Sequence, residues 1–184
     1  MYNHSDKSQV EYSLTQLTGG LFYHLKYKKI EDITVTDICN RAKITRRTFY
    51  RNCENKTDLI LYGTDRLVLE QIRKTDFSST DYRKMYQSFF AFWGEHRRFL
   101  SILDQNNLFD LFLHEFIEVC GTYMRYPLQE ETIHGSDDKE QTRLYSNAFI
   151  IGGLGLMLRH WVRNSFLPDP EELADTISFL IPKP

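Results

Sequence analysis

At 184 residues the chain is long enough for one substantial core, or for a small domain joined to a larger one. Its 41% apolar and 26% charged residues are those of an ordinary water-soluble protein, and the longest apolar run, Ala148 to Leu158, is too short to span a bilayer and carries three glycines. The net charge of −2 hides an asymmetry: residues 1–59 have a balance of +3 and the remainder one of −5, so only the first third invites a polyanion.

The first predicted helix opens with capping spacing at Ser8 and Glu11. It carries Val10, Leu14, Leu17, Leu21 and Leu25 as an apolar stripe at spacings of three and four. Gly19 and Gly20 interrupt it at about 1 kcal/mol each relative to alanine, which points to close approach of another helix or to a bend.

After Lys28 and Lys29 comes the most informative stretch, Thr34 to Lys56. Thr34 with Asp37 has capping-box spacing for a short helix whose inner side holds Ile38 and Ala42. Lys43 and Ile44 form a turn, and Thr45 is the natural N-cap of a second short helix. Ile44 and Phe49 are the apolar residues that fix the angle between the two, so the pattern is a helix-turn-helix. On the outer face of the second helix and its flanks lie Arg46, Arg47, Thr48, Tyr50 and Arg51, donors for base edges and phosphates. From Arg41 to Lys56 six Lys or Arg stand against one acid, Glu54. Such an excess also occurs on merely solvated helix faces, so taken alone the pattern fits a reader of double-stranded DNA and a solvated helix pair equally well.

The order Thr-Val-x-Asp-Ile-Cys-x-x-Ala-x-Ile-Thr-x-x-Thr-Phe-Tyr-x-x-x-x-x-Asn-Lys-x-x-Leu, Thr34 to Leu59, resembles the DNA-binding domain of TetR-type (TetR/AcrR) transcriptional regulators. The resemblance implies an all-α fold: an N-terminal three-helix helix-turn-helix domain, then a helical regulatory and dimerisation domain. It also implies that Tyr50 and Lys56 grip phosphates, and it makes Thr34, Thr36, Thr45, Arg46, Arg47, Thr48, Tyr50, Arg51 and Lys56 the expected DNA-contacting set. Two positions depart from the family pattern. Lys43 stands where the turn usually has glycine, implying either a non-glycine residue at positive φ or a turn that avoids it. Asn52-Cys53 replaces the usual His-Phe, removing a phosphate contact and a core aromatic.

Asn55 is the expected cap of a fourth helix running to about Lys74, with Leu59, Leu67, Leu69 and Ile72 for packing. The polar stretch Thr75 to Thr80 follows; the expected domains are 1–54 for DNA and 55–184 for effector binding and dimerisation. Beyond it three helices are predicted: Asp81 to His96 with Met85, Phe89, Phe92 and Trp93; Arg97 to about Asp104; and Leu108 to Tyr123 with Phe109, Phe112, Phe116 and Val119. Pro127 to Asp138 reads as a loop and Lys139 to Phe166 as a long helix. Asp169-Pro170-Glu171-Glu172 starts a last helix, with Asp as N-cap and Pro at the first helical position, and that helix ends before Pro182.

The seventeen aromatic residues from Tyr82 onward fill a core, line an apolar ligand cavity, or do both. Trp93, His96, Phe112, His114 and Tyr123 combine rings with polar handles and are the candidate pocket residues, for an apolar or cationic small-molecule effector. The alternative is a C-terminal domain that binds a protein partner and no small molecule. Gly152, Gly153, Leu156 and Trp161 on the long helix are the candidate homodimer seam, built with the helix from Pro170. Cys39, Cys53 and Cys120 lack pairing or metal-ligand spacing and are expected as buried or half-buried free thiols. No phosphate loop, HExxH or G-x-S-x-G occurs, so neither catalysis, a metal nor a cofactor is expected. The absence of a basic-then-apolar N-terminal pattern leads to an expected cytoplasmic location, with no membrane partner.

Overall fold

A computed structural model describes residues 4–76, 81–123 and 138–180, and among them every regular element is helical. The elements are α1 (His4–His24), a single 3-10 turn (Ile30–Asp32), α2 (Val35–Ala42), α3 (Arg46–Asn52), α4 (Asp58–Lys74), α5 (Tyr82–Glu95), α6 (Arg97–Gln105), α7 (Phe109–Tyr123), α8 (Asp138–Arg163) and α9 (Pro170–Leu180). The all-α expectation is met. The polar stretch Thr75 to Thr80 lies partly, and the loop Pro127 to Asp138 almost wholly, outside the described residues.

α1 already runs from His4, so Ser8 lies inside the helix rather than at its cap. Leu17, Leu21 and Leu25 are buried and Leu14 packs partly against them, as the stripe predicts. The two glycines separate in role. A Cβ on Gly20 would stand 2.9 Å from the Ile38 carbonyl oxygen, so glycine is what lets α2 cross α1 at that point. Above Gly19 nothing lies within 4 Å.

α4 joins the N-terminal helices to the rest, packing along α1 on one side and α7 on the other. Because it is shared between two neighbours, its buried residues are Leu59, Ile60, Gly63, Thr64, Val68 and Gln71, while Leu67, Leu69 and Ile72 are only partly covered. Its start differs from expectation. Asn55 Oδ1 accepts from the Thr57 amide at 2.8 Å, and Asp58 Oδ2 accepts from the amides of Glu54 at 2.7 Å and Asn55 at 3.2 Å, so the N-cap position moves to Thr57.

In the C-terminal part α5 pairs with α9 and α7 with α8. Met85, Phe89, Phe92, Trp93, Phe109, Phe112, Phe116 and Val119 are all buried, at the positions the helical period assigns. Asp169 Oδ1 accepts from the Glu171 and Glu172 amides at 2.9 and 3.0 Å, the cap expected for α9. Arg83 on α5 reaches across to Glu171, at 3.2 Å, and to Asp175. α8 stops at Arg163 rather than Phe166, because Ser165 and Phe166 turn to φ 57° and 61° and the Phe166 amide bonds back to the Trp161 carbonyl at 2.8 Å.

Candidate nucleic-acid interface

The site is built from two caps and one turn. Thr34 Oγ1 accepts from the Asp37 amide at 3.1 Å, and the Asp37 carboxylate accepts from the Thr34 amide at 2.9 Å, closing the capping box at the head of α2. The bond from the Thr34 backbone, then that from its hydroxyl, holds the Asp37 carboxyl below the usual carboxylate range. α2 ends at Lys43, whose backbone takes φ 54° and ψ 37°. The non-glycine residue thus accepts the left-handed conformation, and the amides of Lys43 and Ile44 bond back to Asn40 and Cys39 at 3.3 and 3.1 Å. Thr45 then caps α3, its Oγ1 accepting from the Thr48 amide at 3.2 Å.

Phe49 is fully buried and Ile44 packs partly against the same core, which fixes α3 against α1 and α2. Apart from half-buried Thr48 and Asn52, the rest of α3 faces solvent. Arg46, Arg47 and Arg51 are exposed, and among the described residues none of the three is drawn into a hydrogen bond or ion pair. Tyr50 is exposed beside them, its ring edge-on to Phe49 at 5.2 Å. Thr34 and Thr36 are exposed at the start of α2, and Thr48 is half-buried. Arg41, counted in the basic stretch, is held within the chain: its guanidinium lies 3.9 Å over the Tyr23 ring, a contact between α2 and α1 that no local spacing signals.

Lys56 has a different setting. Its ammonium donates to the carbonyls of Ile30 and Ile33, both at 2.6 Å, and the residue is half-buried. It closes the 3-10 turn onto the start of α4, and two of its three N–H donors are committed within the chain. Cys53 is buried where the family pattern has an aromatic ring; burial raises its thiol to about 11, with the negative charge of Asp58 adding to the effect. Cys39 and Cys120 are also buried free thiols raised by burial.

The candidate pocket residues divide. Trp93 and Phe112 are fully buried and meet edge to face at 5.3 Å. His96 sits beside them, 4.5 Å from the Phe92 ring, with Nδ1 donating to the Phe92 carbonyl at 2.9 Å. His114 and Tyr123 are on the exposed side of α7 and do not join that cluster. Three buried polar atoms, Thr64 Oγ1 and Gln71 Oε1 on α4 and Trp93 Nε1 on α5, have no hydrogen-bond partner among the described residues. Of the seam residues, Gly152, Gly153 and Leu156 lie on an uncovered face of α8 together with Tyr145 and Phe149, the last 82% exposed. Trp161 turns the other way, buried against Phe90 at 5.7 Å with Nε1 donating to the Pro168 carbonyl at 2.6 Å. Gly155 also faces inward, against Leu113 and Phe116 of α7.

Among the described residues no group of three or more His, Cys, Asp and Glu is placed to hold a metal ion, and no helix is long and apolar enough to cross a membrane. No individual curated protein matches the chain significantly. The family model TetR_C_8, described as "Transcriptional regulator C-terminal region", matches residues 80–183, the span from α5 through α9. With the capped helix-turn-helix at its N-terminal end and this match over more than half of its length, the chain belongs to the TetR family of transcriptional regulators.

Proposed function

We propose that the chain is a homodimeric, operator-binding regulator, a repressor, whose residues 1–54 bind DNA in the cytoplasm and whose residues 55–184 dimerise and receive an effector. The observation that carries the DNA reading is the outer face of α3, where Arg46, Arg47, Tyr50 and Arg51 are exposed and the arginines are unpaired on a helix fixed by Phe49. A recognition helix of this kind enters the major groove, with arginine forks suited to guanine edges and the exposed Thr36 hydroxyl suited to a phosphate, while the hydroxyls of Thr34, Thr45 and Thr48 hold the helix starts beside it.

One such short helix reads few bases, so specificity calls for two copies spaced by turns of the duplex. Support comes from Tyr145, Phe149, Gly152 and Leu156, an uncovered stripe along α8 at spacings of four, three and four. The glycine there permits backbones to approach closely. An effector acts by binding with different affinity to two head arrangements. The orphaned Thr64, Gln71 and Trp93 atoms support polar ligand contacts in the C-terminal interior. The rival, a protein partner in place of a small molecule, is favoured by the closely packed rings of Trp93, Phe112 and Phe116.

The test is selection of bound duplexes from a random DNA pool by the purified full chain. An enriched, two-fold symmetric site is the expected result; binding without sequence enrichment at physiological salt would end the operator reading.

A further inference from the structure

Where α1, α4 and α6 meet there is a groove of about 470 Å3, within the range of small-molecule sites and open to solvent along one side. Its wall comes from three helices well separated in sequence: Thr18, Gly19, Phe22 and Lys26 from α1, Gly63 and Arg66 from α4, Arg98 and Phe99 from α6. The Phe22 and Phe99 rings are stacked, 4.8 Å apart at 18°. A Cβ on Gly63 would meet both rings and the Thr18 methyl at 3.2 to 3.9 Å, so this glycine lets the three helices close up beneath the stack.

Two features are unexplained by packing. Gly19 stands in the middle of α1, where glycine weakens a helix, yet nothing within 4 Å would oppose a side chain there. It lines the groove, and its missing side chain is part of the open volume. The second feature is charge. The C-terminal segment is acidic overall, but the lining holds Lys26, Arg66 and Arg98 against Glu70 alone. Glu70 is paired with Lys74 at 2.7 Å, and Arg66 is engaged with Thr15 at 2.7 Å and with Glu11 at 3.5 Å. Arg98 has no hydrogen bond or ion pair among the described residues, and Lys26 has only the Tyr23 ring, 5.8 Å away.

We propose that this groove binds a small aromatic carboxylate, its ring extending the Phe22–Phe99 stack beside Gly19 and its carboxylate meeting Lys26 and Arg98, and that occupancy changes the grip of the head on DNA. Ring stacking and a charge-assisted arginine fork are the contacts that these groups offer together. Because the groove is lined by α1, which packs on α2 and α3, and by α6 of the C-terminal part, a ligand touching both couples to DNA binding only so far as its affinity depends on how the two helices are set against each other. This is the condition for coupling to DNA. The inference rests on the regulator reading for its consequence, while the binding step stands without it.

The experiment titrates the purified full chain with benzoate, phenylacetate and 4-hydroxybenzoate by calorimetry, using benzamide and cyclohexanecarboxylate as controls. The same acids are then added to protein bound to its selected duplex. Expected are saturable binding of the aromatic acids, at least about tenfold weaker binding of both controls, and a change in DNA affinity of about threefold or more at saturation. Gly19→Leu fills the groove, and Arg98→Gln with Lys26→Gln removes the charge; each should weaken the acids about tenfold, with circular dichroism confirming the fold. Binding undiminished in the folded Gly19→Leu protein places the ligand elsewhere and overturns the proposal, as does equal binding of benzamide. Binding that leaves DNA affinity unchanged overturns the effector role. If no DNA site is selected at all, the operator reading fails, while calorimetric binding lost in both variants still upholds the site.

Discussion

Asn106, at the end of α6, donates through one amide nitrogen to the Leu25 carbonyl at 3.1 Å and to the Ile102 carbonyl at 2.8 Å, and it is buried. The side chain therefore ties the C-terminal end of α1 to the far part of the chain, 81 residues away. Lys29 adds a second tie from the same region to the Gln105 carbonyl. Replacing Asn106 with Leu leaves the Leu25 carbonyl buried and unpaired, so stability should fall by about 1 to 3 kcal/mol. Urea unfolding gives the size, and hydrogen exchange should show the end of α1 opening faster than α7. Equal exchange in the two helices would refute the tie.

Lys56 and the arginines of α3 should separate in mutagenesis. Lys56→Met orphans the carbonyls of Ile30 and Ile33 and is expected to lower stability by about 1 to 3 kcal/mol before any DNA is present. Arg46→Ala and Arg47→Ala remove no hydrogen bond or ion pair among the described residues. They should leave the melting point nearly unchanged and lower affinity for the preferred site by about 1 to 3 kcal/mol wherever a guanine is read. Thermal melts beside binding curves decide the matter; an unaltered melt for Lys56→Met would show that its two carbonyls find other donors.

The neighbouring glycines of α1 should respond in opposite directions to alanine. At Gly20 the new methyl would meet the Ile38 carbonyl at 2.9 Å, and the displacement of α2 is expected to destabilise by about 1 to 3 kcal/mol. At Gly19 the methyl meets nothing, and the helix should gain about 0.5 to 1 kcal/mol. Paired denaturation curves suffice as a check.

Burial holds the Cys53 thiol neutral up to about pH 11, above the value of about 8.5 for a thiol in an unfolded chain. The sign follows from proton counts: as pH rises, the unfolded chain loses its proton first. The stability contributed by the neutral thiol is complete below about pH 8.5 and is lost through about pH 11, a decline on the order of 3 kcal/mol. Urea midpoints at pH 8 and 10.5 should therefore converge more closely in Cys53→Ala than in the native chain. At pH 8 iodoacetamide should label Cys53 and Cys120 only as the protein unfolds.

The uncovered stripe of α8 predicts the assembly state. Phe149→Glu places charge on that stripe, and Gly153→Leu pushes an approaching helix away, so either should weaken a dimer about tenfold or more, about 1.4 kcal/mol. Sedimentation velocity at micromolar concentration tests this, and a monomeric native chain would sink the homodimer.

What was legible in the sequence was local. The caps at Thr34 and Thr45 act on partners three residues away, and the left-handed turn at Lys43 falls where the motif needs it, so α2 and α3 could be placed residue by residue. Periodicity likewise picked out Phe89, Phe92 and Trp93 of α5 and Phe109, Phe112 and Phe116 of α7, but passed over the equally buried Tyr86 and Phe90. Periodicity cannot say which neighbour a face meets. Trp161 lies on the same long helix as the exposed glycines but turns to Phe90, and α4 divides its apolar residues between α1 and α7. The bonds of Lys56 to the 3-10 turn, the Asn106 tie and the stack of Phe22 on Phe99 join positions far apart in the chain, and no spacing rule announces them.

The left-handed backbone at Lys43 has a consequence for any attempt to make the protein hardier. A side chain in that conformation costs about 1 to 2 kcal/mol that glycine would not. The chain retains a lysine there, exposed and one turn before the arginines of α3. Under a screen for heat resistance alone this turn would be among the first to change, and the survivors would have traded a cation beside α3 for a more relaxed loop. On the proposed DNA reading, directed evolution of this segment should therefore select for duplex binding and thermal tolerance together, so that heat resistance is not gained by losing a cation beside α3.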